Sequence, residues 1–400
     1  MDLFPFRALR FRTASAGRLD RLISPPYDVI RPGERRTLER RSRFNIVHLT
    51  LPRGGTGRYA RAAALLRLWC REGILAPDPV PAFYPAEQEF RIGHERRTRF
   101  GFFALVGLGG AVLPHEATFR GPRCDRTRIL QACRADLEPI LLLYSDPAGT
   151  VERILRKTAR GRALTICRES QGSRLRLWRV AEGASVLAVR RALRRRQVLI
   201  ADGHHRFASA AAYWRGGGRG GGSGTGPAIL AFLSRVEDSG VVSLPTHRLV
   251  SGLDASRLAE LPLRLERRFR LEPFPTAVAR RSIRAWRDLL RRLQARDAGV
   301  DFAVVLPGSR AGFLARGPAG KGRDRTGVER LEAEVMGPML GIGPGSERRY
   351  RHVDYQRDPR ACLDAVASGQ AQAAFLLPSL PARRVLAIAR RGRLLPQKST

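Results

Sequence analysis

The sequence predicts a mixed α+β or α/β protein, and three observations carry that prediction. Amphipathic helical segments and short apolar runs alternate from end to end, with no repeat of fixed period. One clear strand–turn–helix unit lies near the middle: an apolar strand at 197–201, the turn Asp202-Gly203-His204-His205-Arg206, and an Ala-rich helix at 207–214. The composition, 43% hydrophobic and 27% charged over 400 residues, is that of globular domains with room for two or three cores.

The elements follow in chain order. A strand is expected within 3–12, then a turn at Ser24-Pro25-Pro26-Tyr27-Asp28, where two prolines force an extended backbone. Residues 58–73 read as an amphipathic helix ending at Gly73, and 82–92 with 98–108 as a hairpin turning near Gly93. His115-Glu116 and Asp125-Arg126 precede a helix through Cys133, and 139–144 is a short apolar run typical of a buried strand. A helix at 151–159 and strands near 163–168 and 174–180 lead to the central unit. Beyond it, Gly-rich residues 215–226 read as a flexible insert, and strands are expected at 228–235 and 241–249. Helices near 277–296, 328–340 and 358–368 then alternate with strands near 302–306, 312–315, 350–355, 373–377 and 384–389. Three regions result: 1–150, a core region 151–276 carrying the two His-Arg segments, and 277–400.

The formal charge of +37 invites a nucleic-acid reading. Yet of the 73 basic residues only Lys157, Lys321 and Lys398 are lysines, and the arginines are scattered. A compositional bias with a solvated basic face accounts for them, leaving weak nonspecific polyanion binding. Cys70, Cys124, Cys133, Cys167 and Cys362 are odd in number and lack CxxC spacing, which fits reduced thiols and no zinc framework. No run is apolar enough to span a membrane and no secretory signal precedes the first strand, so a cytoplasmic protein without membrane contact is expected.

The 202–206 turn is where chemistry is expected. The junction of a strand's carboxyl end with a helix start is a recurrent ligand site in open sheets, and first-turn N–H groups lack internal acceptors. Gly203 lets an anion approach the backbone. His204, His205 and Arg206 stand where the helix dipole disfavours cations, a cost that a bound anion would reverse. Arg206 could grip phosphate bidentately, while Asp202 is either a helix cap or a proton acceptor. The second segment, Pro245-Thr246-His247-Arg248, is expected on a strand beside the first, aiming Thr246, His247 and Arg248 at the same anion; cross-strand pairing on a polar face is the alternative. Tyr27, Asp28, His115, Glu116, Asp125 and Arg126 are accessory candidates, against a rigid turn and surface ion pairs. No HExxH, CxxC or P-loop spacing exists, so a magnesium ion carried by a nucleotide, on Asp202 or Glu116, is preferred to zinc.

SPPYDVI, HEATF with the following DR, PILLLY, IADGHHRF, LPTHRL and LPQKST, in that order, resemble a bacterial and archaeal family known as domain of unknown function 1015. In that family the chain commonly runs on past the KST segment, whereas this sequence stops at Thr400. The 202–206 turn is also similar to the phosphate-binding turn of the ParB and sulfiredoxin superfamily, which includes CTP-using partition proteins and free-serine kinases. The resemblance implies a ParB/sulfiredoxin-like core inside a larger mixed-sheet protein. It further implies that Gly203, His204, His205 and Arg206 contact nucleotide phosphates (ATP, ADP or CTP, with Mg), with Asp202, His204 and His205 in the catalytic role. A serine-like small-molecule phosphotransferase is the activity implied; the alternative is a noncatalytic nucleotide- or nucleic-acid-binding regulator.

Overall fold

The computed structural model describes residues 1–118, 120–168, 172–181, 183–218, 226–294, 299–308, 311–318, 324–343 and 347–399. Residues 219–225 of the Gly-rich insert, Phe119 of the HEATF segment and the terminal Thr400 lie outside them. The architecture is mixed α+β, as the alternating pattern predicts. It divides into two compact units, 1–242 with 389–391, and 243–388 with 392–400.

The first unit is built on a ten-stranded mixed sheet. Across it run Val112–Leu113, Val198–Asp202, Ile140–Tyr144, Ala228–Arg235, Glu95–Gly107, Ala82–Ile92, Arg174–Leu177 and Thr165–Arg168, with Leu3–Phe4 and Val180–Ala181 paired off the main path. The 140–144 strand is antiparallel to 198–202 and parallel to 228–235. Side chains alternate across the pleat: Val198 and Ile200, Ile140, Leu142 and Tyr144, and Ile229, Ala231 and Leu233 fill one core. The antiparallel register sets the start of 140–144 beside the end of 198–202, with an irregularity between Ile200 and Asp202. That edge is where the turn emerges. A smaller core of Leu22, Leu49, Leu66, Trp69 and Leu75 lies under the N-terminal helices.

The second unit holds a six-stranded antiparallel sheet: Arg270–Pro275, Ala311–Arg316, Phe302–Val305, Ala373–Leu376, His247–Val250 and Val353–Gln356. Both faces are buried. Phe302, Val304, Ala373 and Phe375 enter one core, and Ala303, Val305, Ala374 and Leu376 the other.

Four sequence expectations are corrected. The segment read as a strand over 241–249 forms one only at His247–Val250. Its neighbours are Val353–Gln356 and Ala373–Leu376, whereas those of Val198–Asp202 are Val112–Leu113 and Ile140–Tyr144, so the two His-Arg segments sit on strands of different sheets. The run near 384–389 is helical, Ala382–Arg390, because Val385, Leu386, Ile388 and Ala389 also fit one helix face. The start of the 350–355 strand is helical too, since Glu347–His352 precedes a strand at Val353–Gln356.

Candidate functional site

Val198–Asp202 delivers the chain to Gly203, and the helix His204–Arg215 begins at once. Gly203 has φ +95° and ψ 28°, left-handed backbone that favours glycine. A Cβ there would also lie 2.6 Å from Ile140 Cγ2, so sterics and backbone both require the glycine. As N-cap residue it offers no side-chain acceptor to the first turn of the helix.

On one side of the turn, His204 packs edge-on against His115, with ring centroids 4.5 Å apart. The His115 backbone N–H donates to His204 Nε2 at 3.3 Å, which needs the Nε2 lone pair and so places the His204 ring proton on Nδ1. Burial, reinforced by the neighbouring His115, pulls His204 down to about 3. His115 is itself buried, with Nε2 3.6 Å from Glu116 Oε1.

On the other side, the Arg206 guanidinium donates to the Pro139 carbonyl and pairs with Asp202 one turn back along its own chain. Its side chain is 9% exposed and that of Asp202 53%. Part of the helix-dipole conflict read from the sequence is therefore answered inside the chain: His204 stays neutral, and Arg206 has a carboxylate. His205 is half-buried.

Next to this lies a cluster that draws in three of the accessory candidates. Glu138 Oε1 accepts the Tyr27 backbone N–H at 2.9 Å, and Oε2 is 3.4 Å from Arg126 Nη1. The Arg126 guanidinium stacks over the Tyr27 ring at 4.0 Å, donates to the Thr50 carbonyl and binds Asp125. Burial raises the Glu138 carboxyl, while Arg206 and Arg126 oppose the rise. Burial likewise pushes the Tyr27 phenol up to about 12, Asp28 adding to it. Burial alone would raise Asp125, but hydrogen bonds from Arg126, Tyr59 and Arg58 hold it below the usual range. The turn and the SPPYD and DR segments are thus linked through Glu138, and His115-Glu116 joins from the far side. Sequence reasoning missed Glu138, which belongs to no motif and precedes an apolar strand.

Residues 3–333 match the family described as "Protein of unknown function (DUF1015)". The chain belongs to that family. No curated protein matches it. Similar solved structures include a conserved hypothetical protein from Pyrococcus furiosus, at 14% identity and TM-score 0.38 over 74% of this chain and 88% of that one. A mutant free serine kinase in complex with ADP is similar at 13% identity and TM-score 0.40, over 74% and 85%. SbnI from Staphylococcus aureus, with a C-terminal truncation, is similar at 11% and 0.37, over 74% and 80%.

The other His-Arg segment of this DUF1015 protein is interior to the second unit. Thr246, His247 and Arg248 are all buried. The Leu377 N–H donates to His247 Nδ1 at 3.0 Å, and burial pulls that imidazole down to about 4. Arg248 donates to the carbonyls of Thr246, Gln397 and Lys398, lies 3.7 Å from Glu332 and faces the Tyr355 ring. Glu332 is also gripped by both terminal nitrogens of Arg349 at 2.6 Å. Here the LPTHR and LPQKS segments meet, with Arg248 fastening the C-terminal strap.

Among the described residues no group of three or more His, Cys, Asp or Glu is placed to hold a metal, and no helix is long and apolar enough to cross a membrane. Asp202 and Glu116 each stand as single carboxylates. One such oxygen suits an ion already held by phosphates, since magnesium keeps several waters and uses few protein ligands.

Proposed function

We propose that the 202–206 turn of this DUF1015 protein binds a nucleotide phosphate and that the chain is a small-molecule phosphotransferase acting on a serine-like hydroxyl. One observation carries the reading: segments 27–28, 115–116, 125–126 and 202–206, scattered in sequence, gather around one helix start that has no side-chain cap at Gly203. Stability alone does not ask for a left-handed glycine, a cation and a carboxylate at such a point. The turn's likeness to the ParB and sulfiredoxin superfamily narrows the anion to a nucleotide phosphate.

The Asp202–Arg206 pair gives the site a means of coupling. A phosphate that takes Arg206 competes with Asp202 for the same guanidinium and frees that carboxylate. The acceptor hydroxyl oxygen would then bond to the terminal phosphorus, the bond from phosphorus to the bridging oxygen breaks, and the hydroxyl proton passes to Asp202. Neutral His204 offers its Nδ1–H and backbone amide rather than a charge. A Mg ion brought by the nucleotide would neutralise charge on the phosphates, with Asp202 or Glu116 as its protein oxygen.

The test is calorimetric titration with ATP, ADP, CTP and AMP in the presence of Mg, followed by phosphorus NMR with free amino acids. Arg206→Ala should weaken nucleotide binding about tenfold or more, as expected for a lost charged hydrogen-bond partner. Affinity unchanged in that variant would remove the phosphate site. Binding without turnover would assign the regulator reading, which the charge of +37 favours.

A further inference from the structure

The second unit contains a cavity of about 420 Å³ that none of the above uses. Arg257, Arg351 and His352 line it with Asp254, over an apolar floor of Leu253, Leu340 and Ile342. Leu253 and His352 are held in the wall by hydrogen bonds. The Gln372 side chain accepts the Leu253 N–H at 2.6 Å and returns a bond to the Leu253 carbonyl at 3.0 Å. His352 Nδ1 donates to the Ser251 carbonyl at 2.8 Å, so Nε2 is the ring nitrogen that a ligand meets. Gly252 and Gly341, with φ +70° and +71°, make room for two of the lining side chains: a Cβ on Gly252 would lie 2.8 Å from His352 Nδ1, and one on Gly341 would overlap the Arg257 guanidinium. The wall also includes the start of the 14-residue helix Ala255–Arg268, whose N-cap Asp254 makes no side-chain cap bond and lies 3.6 Å from Arg257.

We propose that this cavity binds a phosphorylated small molecule at a site separate from the 202–206 turn. Two guanidiniums and a helix start present donors from several directions. A planar carboxylate engages one guanidinium fork, whereas the oxygens of a phosphate reach several donors at once. The volume falls in the range of small-molecule sites and exceeds what a bare phosphate needs, and the apolar floor receives the organic body. Asp254, 3.6 Å from Arg257, offers an acceptor to a hydroxyl of the ligand.

Titration of the full chain with phenyl phosphate, inorganic phosphate and citrate tests this. Phenyl phosphate should bind best. Arg257→Ala and Arg351→Ala should each weaken it about tenfold, while Arg91→Ala leaves it unchanged. Loss in Arg206→Ala with none in Arg257→Ala would move the ligand to the turn and overturn the proposal. Equal loss in Arg91→Ala, an exposed arginine of the first unit, would assign it to diffuse charge and overturn it too. Citrate binding as tightly as phenyl phosphate would overturn the phosphate assignment. A readout without variants is phenylglyoxal modification of the native chain, mapped by mass spectrometry. Phenyl phosphate should protect Arg257 and Arg351 selectively, and uniform protection of all arginines counts against the site.

Discussion

Two histidines, one from each of the two His-Arg segments, are both held neutral by burial, but in different company. His204 accepts an N–H from His115 inside the candidate site, and His247 accepts one from Leu377 inside the second unit's sheet. Both imidazoles lie below their ordinary value of 6.5, His204 at about 3 and His247 at about 4. A lowered folded-state value means that the unfolded chain binds the proton more readily. The stability they lend is complete above pH 6.5 and lost as pH falls from there towards about 4 for His247, and further for His204. Asp136 works in the opposite sense: burial raises it from 3.8 to about 6, so the stability it lends is present at low pH and lost as pH rises through 6. The variant His247→Asn separates these contributions, since its side-chain oxygen can accept the Leu377 N–H without titrating. Urea midpoints at pH 7 and pH 5 should show it losing about 2 kcal/mol less than the parent chain over that interval. An identical loss in both proteins would mean that His247 is not held neutral in the fold.

The strand–turn–helix element shows how much was legible in the sequence and where legibility stopped. An apolar strand, a glycine and an Ala-rich helix are local signals, and the structure reproduces them at Val198–Asp202 and His204–Arg215. The hairpin was local too, with strands at Ala82–Ile92 and Glu95–Gly107. The helix Ala255–Arg268 is hidden in the sequence because Pro262 interrupts its pattern, and Ala382–Arg390 reads as a strand because its apolar residues form a short continuous run, of which Val385, Leu386, Ile388 and Ala389 share a helix face. Glu138 could not be found locally, since its meaning comes from Tyr27 and Arg126, which are 111 and 12 residues away. The double demand on Gly203 is equally nonlocal, because Ile140 on the neighbouring strand closes the space above it. Gly203→Ala should therefore cost about 1–3 kcal/mol by denaturant titration, from the left-handed backbone together with the overlap. Adding Ile140→Ala to Gly203→Ala relieves the overlap alone. A double-mutant cycle over the two positions should then show positive coupling, and strict additivity would mean that Ile140 does not crowd the turn.

At the scale of the molecule, the excess of 73 basic over 36 acidic residues is spread over both units. Many of the arginines are structural. Arg176 bridges Glu87 and Glu89, Arg316 and Arg292 share Glu272, and Arg330, with its side chain 6% exposed, pairs with Asp301 and Glu334. Such pairs consume acidic residues, and the uncompensated cations remain on the surface as a diffuse field. Charge of that kind attracts polyanions without selecting among them, and counterion release makes the attraction steeply salt-dependent. The turn differs in that its one arginine is 9% exposed and already paired, so an anion held there is screened less by salt. The two kinds of binding should separate in one experiment. Single-stranded DNA and a nucleotide are titrated between 50 and 200 mM salt, with the parent chain and with Arg206→Ala. DNA affinity should fall by orders of magnitude across that range and be unaffected by the substitution, while nucleotide affinity should change little with salt and drop with Arg206. If both ligands follow the same salt slope and neither responds to Arg206, the whole of the anion binding belongs to the surface field and none to the turn.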